Sequence, residues 1–458
     1  MVKEGLDKKL EEWFQKLVRD YEVKTPRSKQ LYERALRIFP AGVTYALRHY
    51  HPHPAYIARA KGTRVWDVDG NEYIDFWMGH GVHLLGHLHE VVVSAVKQAL
   101  EVGTHFGFEH TYVLEYSEFL TKVIPGLEFV RFTNSGTEAN MYAVRLARAY
   151  TGRKYIVKME GGWHGSYDVL NVAVTYPYTQ PESAGIPEEA YKYTIAVPFN
   201  NVDALEKTIK QYQPAAVILE PVMGAGGCIN PLEGYLKEVK RVTSEHGVLL
   251  IFDEVVTGFR LAPGGAVEYY GVKPDIVVLG KALSGGVGSI GAVGGSSELL
   301  ELVNHKKRPE PHLRVHHAGT YTANVVSVLA GHALVRYLAS NRWIYEKANS
   351  LWSYFRRKVE EACSEHGVEC WSTGDGSLSG IHFTKKKPVN AREAQELRWS
   401  RVVERLFHIY SRLHGVLYMS ERNVHFLPSL IHSEEEVNSL LEVLRSFLSE
   451  LTKLTKVG

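Results

Sequence analysis

The sequence predicts an α/β fold, in which a large three-layer domain on a mostly parallel sheet precedes a smaller α+β domain. Between about residues 90 and 335, short runs rich in Val and Ile alternate with helical segments, which is the pattern of repeated βαβ units. Many of these runs lack alternation of polar and apolar residues, as expected of strands that helices cover on both faces. Beyond about residue 335 the pattern changes to long helices around short apolar runs, which indicates a separate domain.

The elements are predicted in order along the chain. A charged amphipathic helix is expected over residues 7–38, broken at Pro26, and a β-hairpin over residues 64–75, where apolar and polar residues alternate around Asp69-Gly70-Asn71. The candidate strands of the large domain are residues 129–133, 155–159, 215–220, 248–253, 276–279 and 290–293. Helices between some of them are expected at residues 137–150 and 234–246.

The C-terminal region is predicted to contain long helices at residues 343–366 and 391–414, with apolar runs at 416–419 and 424–427. The last helix begins at Ser433 and Glu436, whose spacing is that of a capping box. Three parts are therefore expected: an N-terminal helical segment and hairpin that pack with the small domain (1–75), the large domain (76–335) and the small domain (336–458).

Composition excludes several classes of function. The 458 residues include 53 Lys and Arg against 51 Asp and Glu, so the net charge of +2 gives no general attraction to nucleic acid or anionic membranes. Three cysteines are too few for a disulfide framework, and the 22 histidines form no spacing typical of metal ligands, so no metal site is predicted. The charged N-terminus lacks the apolar core of a signal peptide, and no run is long enough to span a bilayer, which predicts a cytoplasmic protein.

Two charged residues follow apolar runs where buried strands would end: Asp253 and Lys281. Open α/β sheets bind ligands at strand ends. An acid and a lysine there indicate pyridoxal phosphate, whose ring nitrogen needs an anion and whose aldehyde needs an amine. The ordinary alternatives are an exposed acid after a strand and a surface lysine. Glu254 adjoins Asp253, so the sequence leaves open which acid would serve.

The segment 134–140 (Asn-Ser-Gly-Thr-Glu-Ala-Asn) follows a candidate strand and opens a helix. Its glycine and the free amides of a helix N-terminus suit a phosphate group, although an ordinary helix cap is the alternative. The segment lacks the lysine of a P-loop, which argues against a nucleotide triphosphate.

Two further motifs are candidates for binding a cofactor. Trp163 follows a glycine pair, and it is expected either to stack on the pyridine ring opposite Val255 or to be a buried aromatic beside a turn. Gly286, Gly288 and Gly291 match a dinucleotide fingerprint by letter, but they precede an apolar strand instead of opening a helix.

Taken together, these motifs resemble those of the class III aminotransferases. The resemblance runs from about Phe39 to the C-terminus, and the nearest branches are the glutamate-1-semialdehyde aminomutases and the related β-amino-acid transaminases. The motifs are residues 134–139 (Asn-Ser-Gly-Thr-Glu-Ala), 163–165 (Trp-His-Gly), 219–221 (Leu-Glu-Pro), 252–260 (Phe-Asp-Glu-Val-Val-Thr-Gly-Phe-Arg), 279–281 (Leu-Gly-Lys) and 318–320 (Ala-Gly-Thr).

The resemblance implies a fold-type I homodimer that binds pyridoxal phosphate at the subunit interface. It implies that Lys281 forms the Schiff base and that Asp253 faces the pyridinium nitrogen. The phosphate would be held by Ser135, Gly136 and Thr137, and Thr320 would reach the phosphate in the neighbouring subunit. Glu220 would lie near the 3-hydroxyl of the cofactor.

The chain departs from both branches in the region expected to bind substrate. The aminomutase pattern Gly-Val-Asn-Ser-Pro-Val-Arg is replaced by residues 42–48 (Gly-Val-Thr-Tyr-Ala-Leu-Arg), so Arg48 is expected to hold a substrate carboxylate and Tyr45 replaces a small serine. The carboxylate-binding arginine of the β-amino-acid transaminases also falls at Tyr45. The gating loop of the aminomutases carries Ala-Gly-Ser-Gly, whereas residues 171–178 here lack those small residues.

These departures predict a ping-pong transaminase that takes an amino group from a hydrophobic amine or a β- or ω-amino acid and gives it to a keto acid or aldehyde. The alternative is glutamate-1-semialdehyde aminomutase, which moves an amino group within one molecule. Two hypotheses from other classes are a dinucleotide-dependent dehydrogenase and a non-catalytic scaffold that kept the fold.

Overall fold

The computed structural model describes residues 2–455, with side chains for residues 7–454. The outer ends of the predicted first and third domains, residues 1 and 458, lie outside the described residues.

The strands in this part of the chain form sheets of four, seven and three strands. They are β1 (Ile57–Lys61), β2 (Arg64–Asp67), β3 (Glu72–Asp75), β4 (Phe129–Thr133), β5 (Ile156–Met159), β6 (Thr194–Val197), β7 (Ala216–Leu219), β8 (Leu249–Glu254), β9 (Ile276–Leu279), β10 (Gly291–Gly295), β11 (Trp371–Thr373), β12 (Ser379–His382), β13 (Val416–Leu417) and β14 (His425–Phe426).

The seven-stranded sheet has the order β4-β10-β9-β8-β7-β5-β6. Its β5–β6, β5–β7, β7–β8 and β8–β9 pairs are parallel, and β10 runs antiparallel to both of its neighbours. The predicted mostly parallel sheet is therefore confirmed, and each of the six candidate strands belongs to it.

The helices of the described residues are α1 (Val2–Lys24), α2 (Pro26–Ala35), α3 (Met78–Gly81), α4 (Glu90–Val102), α5 (Thr111–Val123), α6 (Gly136–Thr151), α7 (Glu188–Tyr191), α8 (Val202–Tyr212), α9 (Tyr235–Glu245), α10 (Gly265–Tyr270), α11 (Ser297–Leu300), α12 (Val325–Ser340), α13 (Trp343–His366), α14 (Ala391–Glu396), α15 (Val403–Leu413) and α16 (Glu434–Thr455). The helix break at Pro26 is confirmed, because α1 ends at Lys24 and α2 begins at the proline. The capping box of α16 is also confirmed, since the Ser433 amide donates to Glu436 Oε2 (2.9 Å) and the Glu436 amide to Ser433 Oγ (3.2 Å).

The prediction of one helix over residues 391–414 is wrong. The chain leaves the helix after Glu396 and re-enters it at Val403. Between these points the Leu397 carbonyl accepts from the Lys385 amide (3.0 Å), and the Trp399 amide donates to the Phe383 carbonyl (3.4 Å). Because this segment pairs with a neighbouring extended segment, its backbone groups are satisfied without a helix.

The side chains of the seven-stranded sheet alternate between its two faces, as successive residues of a strand must. One face packs Phe252 and Leu279 into a first core, and the other packs Ile251 and Val278 against α6. A third core joins α1 to the C-terminal helices. In the four-stranded sheet, β13 pairs with β3, so the N-terminal hairpin lies beside residues from the C-terminal part. The exact domain boundaries stay a prediction.

The expectations for the cysteines and for membrane-spanning segments can also be compared with the structure. Although three cysteines are too few for a disulfide framework, Cys363 and Cys370 form one disulfide, with Cα atoms 5.7 Å apart. Cys228 is buried and free. Every helix of residues 2–455 is too short or too polar to cross a bilayer.

Candidate active site

A cavity of about 550 Å³ lies at the carboxyl ends of β8 and β9, next to the first turn of α6. Parallel strands of an open α/β sheet deliver their ligand-binding residues to this edge. Nine of the eleven predicted site residues line the cavity: Tyr45, Ser135, Gly136, Thr137, Trp163, Glu220, Asp253, Val255 and Lys281. Arg48 and Thr320 do not line it.

Asp253 is a buried carboxylate with a full set of donors. Its Oδ2 lies 2.7 Å from His164 Nδ1 and accepts from Asn140 Nδ2 (2.8 Å), while Oδ1 accepts from the Val255 amide (3.1 Å). Burial lowers the pKa of His164, and the Asp253 charge opposes that shift. These contacts hold the carboxylate in one orientation at the cavity.

Glu254 faces away from the cavity, because adjacent residues of β8 point to opposite faces of the sheet. Its carboxylate accepts from the backbone amides of Ala266 (2.7 Å) and Val267 (3.0 Å) and from Thr257 Oγ1 (2.9 Å). Burial raises the pKa of Glu254 to about 7. Of the two acids that the sequence left open, only Asp253 lines the cavity.

Lys281 follows β9 and begins a short 3₁₀ turn, Lys281–Ser284. Its φ of 48° lies in the left-handed region, which residues other than glycine rarely adopt outside constrained sites. Burial lowers the pKa of the Lys281 amine, and the carboxylates of Asp253 and Glu220 oppose that shift. A lowered pKa raises the fraction of neutral amine, the form that attacks a carbonyl.

The first turn of α6 closes one end of the cavity. Ser135 is its N-cap, and its Oγ accepts from the Glu138 amide (3.2 Å) while Glu138 Oε2 accepts from the Asn134 amide (2.9 Å). A Cβ atom added at Gly136 would lie 2.7 Å from Val255 Cγ2, so only glycine lets this turn approach Val255 so closely. The turn therefore caps α6 and also lines the cavity, and its role in holding a phosphate stays a prediction.

Glu220 and Trp163 form another side of the cavity. The Trp163 amide donates to Glu220 Oε1 (2.9 Å), and the Gly224 amide donates to Glu220 Oε2 (3.0 Å). Burial, reinforced by the nearby charge of Asp253, raises the pKa of Glu220 to about 7. The indole of Trp163 is 37% exposed, which places it at the open side of the cavity.

Sequence reasoning missed the residues that support this site. Lys158 is fully buried on β5, and its Nζ donates to the carbonyls of Gly162 (2.9 Å), Leu170 (2.9 Å) and Val172 (2.7 Å). It thereby joins the turn before Trp163 to the segment that follows Leu170. A lysine inside an otherwise apolar strand was the available signal. Asn140 and His164 lay inside quoted motifs, but nothing in the sequence showed that both would bind Asp253.

Three of the predicted site residues are exposed: Tyr45, Arg48 and Thr320. Tyr45 is 46% exposed, and its ring centroid lies 5.9 Å from that of His80. Arg48 lines a neighbouring cavity of about 530 Å³ instead, and its Nη1 donates to Thr44 Oγ1 (2.9 Å). Thr320 lies on an exposed loop. The roles expected of Arg48 and Thr320 stay predictions.

A family model described as aminotransferase class-III matches residues 45–448, which include every residue lining the cavity. The chain belongs to the class III aminotransferases. It is therefore an enzyme that uses pyridoxal phosphate and has the fold-type I architecture, as predicted. The dehydrogenase and scaffold hypotheses are wrong; Gly286 and Gly288 line the aminotransferase cavity.

Several relatives of this class III aminotransferase are similar along nearly their whole length. The glutamate-1-semialdehyde 2,1-aminomutase of Archaeoglobus fulgidus is 40% identical over 429 residues, which cover 93% of this chain and 100% of that protein. An ω-transaminase from Sphaerobacter thermophilus has a TM-score of 0.85 at 31% identity, covering 93% of this chain and 97% of that one. A variant glutamate-1-semialdehyde aminomutase from Pseudomonas aeruginosa PAO1, in complex with PMP, has a TM-score of 0.86 at 27% identity, covering 96% and 98%.

The residues of the cavity fit pyridoxal phosphate. The volume of about 550 Å³ is in the usual range for a small-molecule site. One end offers the helix amides that suit phosphate, and the fixed carboxylate of Asp253 and the amine of Lys281 both line the same cavity. These are the three chemical groups that the ring nitrogen, the aldehyde and the phosphate of the cofactor require.

Proposed function

We propose that this class III aminotransferase is a transaminase that takes an amino group from a hydrophobic amine or a β- or ω-amino acid and gives it to a keto acid or aldehyde. The observation that supports it is the apolar outer part of the cavity, formed by Tyr45, Leu47, Val174 and Leu427. Among the described residues that line the cavity, Lys281 is the only lysine or arginine. Around Lys281 the described residues therefore offer apolar contacts but no second lysine or arginine, which suits a hydrophobic amine as the donor.

We assign the site roles from this geometry. When bound, pyridoxal phosphate supplies an aldehyde for the amine and a ring that accepts the electron pair left on the substrate carbon. The carboxylate of Asp253, oriented by His164 and Asn140, would hold the ring nitrogen. Lys281 Nζ would hold the aldehyde of the cofactor, and its amine would move the proton at the amine-bearing carbon of the substrate.

The remaining roles concern position. Ser135, Gly136 and Thr137, in the first turn of α6, would hold the phosphate, and Trp163 and Val255 would hold the ring. Glu220, fixed by two backbone amides, lies on the side expected for the 3-hydroxyl. We propose a homodimer in which Thr320 of the partner subunit completes the phosphate site. Sedimentation or light scattering of the purified enzyme tests this assembly.

A second candidate is the intramolecular aminomutase. A specific observation favours it: sequence relatives that are 39–40% identical carry the name glutamate-1-semialdehyde 2,1-aminomutase, whereas similar solved structures include both transaminases and aminomutases. The names of the sequence relatives thus support this alternative better than the transaminase. The cavity supports the transaminase, because Tyr45 occupies the position of a small serine and Arg48 lies outside the cavity.

One experiment separates the candidates. The purified enzyme, loaded with pyridoxal phosphate, is given 1-phenylethylamine with pyruvate and, in a parallel reaction, glutamate-1-semialdehyde. The transaminase is expected to yield acetophenone and alanine. Conversion of glutamate-1-semialdehyde to 5-aminolevulinate, with no acetophenone from the amine, would contradict the proposal and establish the second candidate.

A further inference from the structure

A second cleft, of about 930 Å³, adjoins the active-site cavity. Val174 and Ala225 line both, so the two spaces share a wall at the outer side of the active site. The cleft also contains the non-helical segment between α14 and α15. No residue assigned above to the cofactor lines it.

Four arginines line this cleft: Arg398, Arg401, Arg405 and Arg422. Their positions follow from the fold, because the chain leaves the helix at Glu396 and carries the first two of them across the break. The fourth comes from the loop between β13 and β14, which is distant in sequence. Arginines from separate segments therefore line one concave space.

Most of this positive charge has no carboxylate partner. Arg398 pairs with the buried Glu404 (3.1 Å), yet its own buried Nε has no hydrogen-bond partner. Within residues 7–454, Arg401, Arg405 and Arg422 form no ion pair with a carboxylate, although the Arg405 guanidinium lies over the Phe14 ring at 4.3 Å.

The acids that line the cleft have other partners. Asp7 accepts from Ser400 Oγ (3.0 Å), and Glu396 lies 3.6 Å from Arg392 Nη1. Each therefore already has a polar neighbour, and the cleft keeps an excess of arginines over acids. Arginine binds carboxylate and phosphate oxygens through paired N–H groups, and a concave cationic surface concentrates anions.

We propose that the cleft binds the anionic end of the substrate while its amine reaches Lys281. This inference rests on the proposed transaminase function and narrows its substrate class. The substrate is then an amine with an apolar body, which lies against Tyr45 and Leu47, and with a carboxylate or phosphate at its far end. The apolar body passes beside Val174 and Ala225, which line both spaces and carry no charge.

Matched substrates test the proposal with the holoenzyme. Straight-chain ω-amino carboxylates of increasing length are compared with alkylamines of the same length, with pyruvate as acceptor. Once the chain is long enough to reach the cleft, the carboxylate is expected to raise kcat/KM by about tenfold or more, as a charged hydrogen bond would. The gain should shrink at high salt, because the arginines at the cleft are partly exposed. ω-Aminoalkyl phosphonates in a third series show whether carboxylate or phosphate is preferred.

The double variant Arg401→Gln with Arg422→Gln is expected to lose the gain and to leave alkylamine turnover unchanged. Arg19→Gln, which removes one exposed arginine from α1, is the control and should keep the gain. An equal gain in the double variant, or no gain at any chain length, would overturn the cleft proposal while leaving the transaminase standing.

A binding measurement does not depend on turnover. Octanoate has the carboxylate and the chain but no amine, and its affinity for the holoenzyme is measured by calorimetry. The double variant is expected to bind it about tenfold more weakly, and equal affinities would refute the cleft. If only glutamate-1-semialdehyde is converted, the transaminase proposal fails, and this binding result decides the cleft by itself.

Discussion

The active site has two walls that are built differently. Named for the roles proposed above, the cofactor wall consists of Asp253, His164, Asn140 and Lys281, and the substrate wall consists of Tyr45 and Leu47. In the first, Asp253 is 3% exposed and its oxygens accept three hydrogen bonds. In the second, Tyr45 and Leu47 are 46% and 36% exposed.

The difference has a physical cause. A buried charge needs donors, and the sheet and α6 provide them at fixed positions, so each residue of the cofactor wall depends on the others. Substitutions there leave a buried polar group without a partner. The substrate wall lies on loops and loses little when a side chain changes, which lets substrate choice vary while the cofactor chemistry stays the same.

The largest effect is expected from the cofactor wall at Lys281. Replacing it with Met keeps the length of the side chain and removes the amine, so turnover should fall at least about 10³-fold. The absorbance of bound cofactor, measured with steady-state rates, checks that the cofactor remains in place. Lys207→Met, on the exposed side of α8, should change neither. Substantial turnover by the Lys281 variant would remove this residue from the chemistry.

The next prediction uses the two adjacent acids of β8. Asp253→Asn keeps the shape and removes the charge, so kcat should fall roughly 10²-fold, as expected when a positioned charge at the reacting group is lost. Glu254→Gln is the matched control, since it removes an equally buried acid on the opposite face of the sheet. Its kcat should stay within about twofold. A larger loss of kcat in Glu254→Gln than in Asp253→Asn would reverse the assignment.

Glu254 is expected to affect stability instead. Glutamine offers one acceptor oxygen where three donors converge, so the free energy of unfolding should drop by about 1–3 kcal/mol. The folded-state pKa of about 7 is above the ordinary value of 4.5, so the native protein binds the extra proton. The contribution of Glu254 is then complete below pH 4.5 and is lost as pH rises through 7.

Thermal unfolding of both proteins at pH 5 and pH 8 measures this linkage. The advantage of the parent enzyme over Glu254→Gln should be larger at pH 5 than at pH 8. The other buried groups are common to both proteins and cancel in the difference. A difference that is the same at both pH values would contradict the prediction and show that Glu254 is ionised in the folded state throughout this range.

The same contrast between walls explains what the sequence could predict. The sequence predicts Asp253 and Lys281 as site residues because apolar runs mark the buried strands that end next to them. Nine of the eleven residues proposed in this way line one cavity.

The sequence did not predict β6, which is a short edge strand only partly buried. It also did not predict the helix break after Glu396, which depends on pairing with Phe383 and Lys385. The burial of Lys158 was likewise not predicted, because its Nζ donates to three carbonyls that lie in the turn after its strand and in the segment beyond that turn. Such features depend on contacts between distant segments, which local patterns do not contain.

The smallest effect is expected on the substrate wall, and it separates two residues that lie three positions apart. The resemblance predicts that Arg48 holds a substrate carboxylate, whereas the structure places it in the neighbouring cavity beside Thr44. Tyr45→Ser removes apolar surface from the cavity itself, so kcat/KM for 1-phenylethylamine should fall about tenfold. Arg48→Gln should change it less than about twofold, because this amine has no carboxylate and the guanidinium lines the neighbouring cavity. Steady-state kinetics of both variants, with folding checked by thermal unfolding, make the comparison. If Arg48→Gln is the more damaging, the loop that carries both residues rearranges when substrate binds, and the substrate wall is then less open than its exposure indicates.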